Sequence, residues 1–441
     1  MKMDMQKRLQ ELADAIEARN ASQARALLAR FFDEGTFVEL DGLARDGDHP
    51  AEAAAGYGLV NGAPAYAFAQ DRNVCSGAVS RAQAAKIRRI YDLAAQNGAP
   101  VVGVFDSDGA RLGDGIDAMD AIADILLASN NLSGVVPQIA VVAGACVGSA
   151  SLIAANMDIV VGVKDADYYL NVGDKNAPAA LLAENVEDAL EQVCRLLSLL
   201  PQNNLDTAPV FEGDLPAAVE KADIGSAARL AADADSLLFL YGEEEECKTA
   251  LGRIGGMACG FVTLAGDPVA CAQASRVARF VRMCDAFSLP VVTFVDAAGF
   301  QSLKGAAKVS HAYAEATTAK VTVIVGKAYG PVYIAAAGKS AGADVVLAWP
   351  EAVISPVAPA TAVHVLWKDR LAEMKNPAED RERLAEEYAQ SMCSPLEAAA
   401  AGVLTDVVTA ADTRAKLIAV LEMLAGKRVS RLPKKHSDIQ L

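Results

Sequence analysis

Aromatic residues make up only 5% of this 441-residue chain, and there are just four histidines. His49 and His436 fall in polar segments, while His311 and His364 fall in expected helices, so all four read as structural or solvent-facing groups. No serine sits in a G-x-S-x-G elbow, which leaves a nucleophilic hydrolase without its usual signature. No G-x-G-x-x-G follows an expected strand, so a dinucleotide site is not indicated. The eight cysteines (75, 146, 194, 247, 259, 271, 284 and 393) form no C-x-x-C pair. Most lie inside apolar runs and read as buried free thiols of a reducing compartment, not as a disulfide framework or a zinc site. No metal is therefore expected. Basic charge is also in deficit: the formal net charge is −16. That excludes the basic footprint of a nucleic-acid binder, though not a local site for an anionic small molecule. Uninterrupted apolar runs of 18 residues are missing too, so no bilayer span is expected. The opening stretch, MKMDMQKRLQELADAIEARN, is a charged amphipathic helix and not a secretory signal. A cytoplasmic protein is expected, with a peripheral place on a membrane complex left open.

Apolar residues account for 53% of the chain and charged residues for 22%, the balance of a well-folded globular protein. The length favours two or three domains. Residues 1–32 read as two helices and 35–41 as a short strand. A hairpin over 56–70 turns at Asn61-Gly62, a strong hairpin signal. A helix over 78–97 ends at Gly98. Then come an apolar strand, PVVGVFDSDGAR (100–111), a helix, and a second apolar strand, PQIAVVAGACVGSAS (137–151). A strand over 157–163 and a helix over 184–200 follow. Residues 201–225 hold three prolines and little periodicity, which suits a domain linker.

Beyond that linker the same order returns. A hairpin over 252–263 turns at Gly255-Gly256, and a helix covers 271–288. PVVTFVDAAGF (290–300) aligns with 100–110, Asp296 falling opposite Asp106. A helix over 304–318 leads to KVTVIVGKAYGPVYIAAAG (320–338), the counterpart of 137–155, and 344–349 matches 158–163. Five elements recur in order, so one α/β domain has been duplicated. Helices are expected to fill 365–426, ahead of a polar, basic tail that is either a mobile surface segment or a meeting point for phosphate.

The chemistry is expected at the glycine-containing turns where the apolar strands end. The first N–H groups of a helix have no intrahelical partners and carry partial positive charge. Two such turns facing one oxygen can stabilise an enolate or a tetrahedral oxyanion by a few kcal/mol per donor. Glycine permits the close approach that a thioester carbonyl needs. The candidate donors of the first copy are Gly109 or Ala110, with Gly148 or Ser149. Those of the second are Gly299 or Phe300, with Gly330 or Val332. Pro331 cannot donate and fits only as a first helical residue beside a donating Gly330. Asp106, Ser107, Asp108 and Arg111 read first as helix-capping polar groups, and Glu243 to Glu246 as a solvated turn.

At these residues the chain resembles the carboxyltransferase subunits of biotin-dependent acyl-CoA carboxylases and decarboxylases, the propionyl-, methylmalonyl- and glutaconyl-CoA group. The resemblance rests on FVELDGL (37–43), FAQD (68–71), DSDGAR (106–111), GVVPQI (134–139), LPQNN (200–204), ARFVRMCDAF (278–287), AYAEAT (312–317), KAYG (327–330), GAD (342–344), Thr413-Arg414 and KRVSRLPKKH (427–436). It covers nearly the whole chain. It implies an α/β fold of two tandem crotonase-like (ClpP/crotonase) domains from an internal duplication. The expected boundaries are 1–205 for the acyl-CoA side, 206–225 for the linker and 226–441 for the biotin side. The first pair of donors would hold the acyl-CoA thioester as an enolate. Gly299, Phe300, Gly330 and Val332 would hold the ureido oxygen of biotin. No biotin-attachment motif stands in a suitable context, so the resemblance implies a separate biotin carboxyl carrier protein. It further implies either a biotin carboxylase or a membrane decarboxylase subunit as partner, and a homo-oligomer, a dimer or a trimer of dimers. Coenzyme A would enter as part of the substrate.

The sequence also departs from the family pattern. Asp108 stands within Ser-Gly-Gly-Ala-Arg, Ser149 ends what is Gly-Pro-Cys-Ala-Gly-Gly, Ala297-Ala298 precede Gly299-Phe300, and Pro331-Val332 follow Gly330. A Gly-Ala-Lys-Gly-Ala run is replaced by APATA (358–362), and segments that overlie the active site in the family are absent after Val172 and after Phe300. Two alternatives stay open on the residues alone: a subunit with little or no catalysis that supports a biotin-dependent complex, and a biotin-independent crotonase-type acyl-CoA enzyme.

Overall fold

The computed structural model describes all residues except 1, 48, 175–178, 217–220, 374–376 and 439–441. The chain divides into two compact units, Met1–Thr207 and Ala208–Leu441. Each unit is built on one mixed sheet, and the two sheets have the same strand order.

In the first unit the strands Ala53–Val60 (β1) and Ala63–Gln70 (β2) form an antiparallel hairpin. Asn61 and Gly62 at its turn have φ of 50° and 79°, the left-handed pair that a two-residue turn needs to match strand twist. Helix α1 (Arg81–Asn97) is capped by Ser80, whose side chain accepts from the Gln83 N–H, and ends on left-handed Gly98. Strand β3 (Val101–Ser107) follows, then helix α2 (Ile116–Leu132) and strands β4 (Gln138–Val147) and β5 (Ile159–Val163). From β2 to β5 the pairing is parallel, in the order β2-β3-β4-β5. Val38–Glu39 extends the sheet beside β1 and Leu181–Ala183 beside β5, while Asp167–Tyr169 pairs with the far end of β4.

The second unit repeats this with Lys248–Ile254 (β6), Met257–Gly266 (β7), helix α3 (Cys271–Ala286), Val291–Ala297 (β8), helix α4 (Leu303–Glu315), Lys320–Tyr329 (β9) and Val345–Ala348 (β10). Leu238–Leu240 and Asp406–Val407 flank it, and Val353–Ser355 pairs with the end of β9. The edge strand Asp406–Val407 interrupts the stretch expected to be helical throughout 365–426. Two residues are too few to show periodicity, and only pairing with β10 defines them.

Parallel strands buried on both faces need near-continuous apolar sequence, and β3, β4, β8 and β9 supply it. In the first unit Phe68, Phe105, Ile87, Ile90, Tyr91 and Ile125 are almost wholly buried between the sheet and α1 and α2. Phe68 and Phe105 meet edge to face at 5.5 Å. Each such side chain contributes about 1.5–3 kcal/mol on burial. Phe261, Phe294, Val321, Val323 and Leu347 occupy the corresponding core of the second unit, with Leu417 and Leu421 from the closing helix Ala410–Leu424.

The expected linker is partly structured. Phe211 N–H donates to Gly256 O at 2.8 Å and Ala258 N–H to Pro209 O at 2.9 Å, so 209–211 lie against the β6–β7 hairpin. The basic tail is held down as well. Lys427 Nζ donates to Thr318 O and Asp344, Arg431 to Ala314 O and Ala316 O, and Lys434 pairs with Glu315. Cations around the carbonyl end of α4 are favoured by its dipole. Glu243 pairs with Arg229, and Glu245 with Gln273 and Arg276, so that acidic run is not simply solvated.

Candidate functional site

In each unit the third and fourth strands fall out of regular register at the same place. Phe105 pairs with Val142 but Ser107 with Cys146, so β4 carries two extra residues opposite Asp106. In the second unit Val295 pairs with Ile324 and Ala297 with Ala328, leaving two extra residues of β9 opposite Asp296. A bulge bends its strand and interrupts the ladder. Both carboxylates fill the interruption: Asp106 Oδ1 accepts the Ala145 N–H at 3.0 Å, and Asp296 Oδ1 accepts the Lys327 N–H at 2.8 Å. A Cβ on Gly144 would stand 2.4 Å from Asp106 Oδ1, and one on Gly326 2.5 Å from the Asp296 carboxylate. Glycine is required at both positions for space. The capping role expected of Asp106 is thus replaced by a bridging one. Arg72 Nη1 also reaches Asp106, at 3.1 Å.

Past the bulge each strand runs to a left-handed glycine, Gly148 at φ 62° or Gly330 at φ 41°. After Gly148 come a 3-10 turn, Gly148–Ala150, and a short α-helix, Ser151–Asn156. After Gly330, Pro331 and Val332 open a helical turn that widens into a π-helix over Tyr333–Ala337. Single π turns recur at functional sites.

The first donors are set by a small parallel bridge that also occurs twice. Val79 N–H donates to Gly109 O and accepts, through its carbonyl, the Arg111 N–H; Val269 does the same with Gly299 O and the Gln301 N–H. In such a bridge the flanking residues make the bonds, so the N–H of the central residue, Ala110 or Phe300, points the other way. Gly109 is not a free donor, because its N–H bonds to Ser107 Oγ at 3.1 Å. Gly299 contributes the bridge carbonyl, and the outward N–H of the bridge is that of Phe300.

At the second turn Gly330 is excluded. Its N–H donates to Ser355 O at 2.8 Å, so the condition that would have made Pro331 harmless is not met. Pro331 does sit in the first helical position, and the N–H that follows it, that of Val332, belongs to a helix start and so has no intrahelical partner. The two carboxylate anchors fix the internal register: Ala145 corresponds to Lys327, Gly148 to Gly330, Ser149 to Pro331 and Ala150 to Val332. Ala150 was not among the expected donors: with 137–155 set end to end against 320–338 the copies are out of step by one residue, which places Ser149 opposite Val332, and only the bonds from Ala145 to Asp106 and from Lys327 to Asp296 fix the register. Gly148 and Ser149 remain at the opening of the first turn, with Ser151 Oγ donating to Gly148 O at 2.7 Å.

No side-chain nucleophile is prepared at these turns. Burial pushes the Cys146 thiol up to about 12, so it stays protonated near neutral pH. Arg111 is engaged with Glu52, Asp46 and Asp114. His311 lies in α4 between Arg282 and Glu315, while His49, His364 and His436 are exposed. A cleft of about 410 Å³ is lined by Asp296, Lys327 and Asp267 with the Glu244–Glu246 run, but not by Phe300 or Val332. Among the described residues no group of three His, Cys, Asp or Glu side chains is placed to hold a metal ion, and no helix is long and apolar enough to cross a membrane.

A model of the carboxyl transferase domain matches residues 17–173 and 171–439, nearly the entire chain. The chain belongs to the carboxyl transferase domain family. As a carboxyltransferase of the acyl-CoA carboxylase family it is 32% identical to the methylmalonyl-CoA decarboxylase subunit alpha of Propionigenium modestum, over 99% of this chain and 98% of that one. It is 34% identical to the propionyl-CoA carboxylase beta chain of Saccharopolyspora erythraea, over 96% and 91% of the two chains. Transcarboxylase 12S, solved as a hexamer with methylmalonyl-coenzyme A bound, superposes with a TM-score of 0.90 at 28% identity, covering 99% of this carboxyltransferase and 98% of that chain. The two units are accordingly crotonase-like domains. The alignment with the decarboxylase subunit spans 510 positions against 441 residues here, so the relative carries segments this carboxyltransferase lacks. In this chain only Gln301 and Ser302 separate Phe300 from the start of α4.

Proposed function

We propose that this carboxyltransferase moves a carboxyl group between a short-chain acyl-CoA and biotin carried on a separate protein. The observation that carries the reading is the repetition of one donor arrangement, once per unit: an outward N–H from a parallel bridge (Ala110, Phe300) and N–H groups from a glycine-opened turn (Gly148 to Ala150, Val332) at the same ends of adjacent strands. A transfer reaction between two carbonyl-like acceptors needs two such sites.

At the first site the thioester oxygen would take the N–H groups, and the negative charge that builds as the α-carbon loses or gains its carboxyl group would be spread onto that oxygen. Each well-placed donor is worth about 2.7–4 kcal/mol to such a step. At the second site Phe300 and Val332 would hold the ureido oxygen. Gly330 fits this role as a spacer: its φ of 41° and the Pro356 carbonyl, 2.6 Å from a notional Cβ, allow no other residue there without strain. Bound there, biotin supplies a ring nitrogen that carries the carboxyl group. The chain's own part is to orient, to polarise and to supply no competing nucleophile, as the protonated Cys146 shows. The expected partners are a biotin carboxyl carrier protein, a biotin carboxylase or membrane decarboxylase subunit, and further copies of this chain.

The two-residue connection after Phe300, which leaves little to cover the second site, favours one second reading, a subunit that supports assembly without turning over. Purified protein with biocytin and malonyl- or methylmalonyl-CoA separates the possibilities. Carbon dioxide released only when biocytin is present supports the transferase. Release without biocytin would indicate a biotin-independent crotonase-type enzyme, and no release under either condition the assembly subunit.

A further inference from the structure

We infer that Asp106 and Asp296 are positioning residues, each setting the donor turn of its own unit and not that of the other. The inference rests on the proposed two-site reaction. Three independent features coincide in each copy. The ladder between the third and fourth strands gains two residues on one side at the same point. The carboxylate reaches across that gap to a backbone N–H, Ala145 at 3.0 Å or Lys327 at 2.8 Å. The residue before the bonded N–H is a glycine with no room for a Cβ against that carboxylate, Gly144 or Gly326. The two halves of the chain differ at most positions around these residues, including Arg72 beside Asp106 and Lys327 beside Asp296.

The geometric consequence lies three residues further on. From Ala145 the strand has only Cys146 and Val147 before Gly148 turns it; from Lys327 it has only Ala328 and Tyr329 before Gly330. Over those residues the strand meets its inner neighbour again at one position only, Cys146 with Ser107 or Ala328 with Ala297, and its outer partners are three-residue strands, Asp167–Tyr169 and Val353–Ser355. The carboxylate is therefore the charged tie across the gap, between the continuously paired part of the sheet and the turn that presents the N–H groups. A charged acceptor strengthens a hydrogen bond and shortens it. Releasing that tie frees the bulge to relax and lets the donors drift. Displacements of about 1 Å from the productive geometry can cost a catalytic site on the order of 100-fold. Neither carboxylate needs to touch substrate.

The test uses the full chain and two ligands: a thioether acyl-CoA analogue that has no carbonyl oxygen, and a nitro analogue whose anionic nitronate oxygen occupies the place of the enolate oxygen. Wild-type protein is expected to bind the nitronate much more tightly than the thioether. Asp106→Ala is expected to lose on the order of 100-fold in nitronate affinity while thioether affinity and the KM for biocytin change little. Asp106→Asn, which keeps an oxygen acceptor for the Ala145 N–H, is expected to restore most of that loss. Asp296→Ala is expected to leave nitronate affinity at the wild-type level and to lower the turnover number with biocytin. Equal nitronate affinity in wild type and Asp106→Ala would overturn the inference. So would a loss of nitronate affinity in Asp296→Ala, because it would mark a general effect on folding, or an Asp106→Asn variant as weak as Asp106→Ala. A wild-type protein that does not prefer the nitronate would instead refute the first-site reading itself, and the inference with it.

Discussion

A single residue shows how the two copies solve one problem with different chemistry. Lys320 opens β9 and is almost fully buried; its Nζ donates to Tyr313 O and Ala316 O, both at 2.6 Å, at the carbonyl end of α4. Its counterpart in the first unit is Gln138, whose amide donates to Ser129 O near the end of α2 at 3.0 Å. Both residues also give their backbone N–H to an aspartate, Asp344 or Asp158. The amide cap is neutral, whereas the ammonium cap carries a desolvation cost. Burial, and secondarily the nearby charge of Lys427, depresses the Lys320 pKa to about 8 from 10.5. The folded state therefore holds its proton less tightly than the unfolded state, and between these values the unfolded chain binds more protons. Stability must then rise with pH across that window, the penalty being fully present below about 8. Lys320→Gln, the residue the other unit uses, removes the titration while keeping a donor. Measured by denaturant unfolding, wild type is expected to gain stability relative to Lys320→Gln as pH rises from 8 to 10. A constant difference would show that Lys320 is held with an ordinary pKa. Nothing at position 320 in the sequence announced this: a lysine before an apolar strand looks like any surface strand end, and only the helix end packed above it makes it a cap.

Among elements, the hairpins were the most legible and their clamps the least. Asn61-Gly62 and Gly255-Gly256 have a local conformational requirement, positive φ at two successive residues, that the residue types themselves reveal. What holds each turn is distant in sequence. Asp33 accepts the Asn61 and Gly62 N–H groups at 3.0 and 2.8 Å, and Asp233 accepts those of Gly255 and Gly256 at 2.8 Å each. Asp233 is fully buried and is joined by Arg414 at 2.6 Å from the closing helix. Burial alone would raise the Asp233 pKa, but the bonds from Arg414, Gly256 and Gly255 outweigh it and hold the carboxyl below its usual 3.8. The stabilisation is therefore present above that value and is lost as pH falls through the lower, folded-state pKa. Removing one partner of a buried pair leaves an uncompensated charge, typically at about 3–5 kcal/mol. Arg414→Met is expected to destabilise the protein by about that much in urea unfolding at pH 7, and by progressively less as Asp233 becomes protonated in acid. A loss below about 1 kcal/mol, or one independent of pH, would mean that the two backbone donors alone satisfy Asp233. The same limit explains the donor turns. Glycines marked where the chain turns, but which N–H remained free depended on partners such as Ser107 Oγ and Ser355 O, which lie on other elements or take roles that spacing does not encode.

For the whole molecule, the duplication was readable because parallel strands buried on both faces must be apolar throughout, so two copies keep matching strings even after their polar residues diverge. The edge strand Asp406–Val407 and the Val353–Ser355 strand were not readable, being too short to carry a pattern and defined only by pairing with β10 and β9. On the proposed two-site reading, each pair of donors depends on its own bulge, bridge and glycine turn, none of which lies in a covering loop. Covering loops do something else. They exclude water, which otherwise competes with the acceptor for the carboxyl group in transit. With two residues between Phe300 and α4, the second site should polarise its ligand yet protect the transferred group poorly. Supplied with isotopically labelled malonyl-CoA, biocytin and a second acyl-CoA as acceptor, the protein is expected to release the larger share of label as carbon dioxide and bicarbonate, and to pass the smaller share to the acceptor. A relative such as transcarboxylase 12S, assayed alongside, should show the opposite division. Stoichiometric transfer by the shorter chain would show that water is excluded by something other than the missing segments, and assays of the complex with its carrier protein would then be the place to look for it.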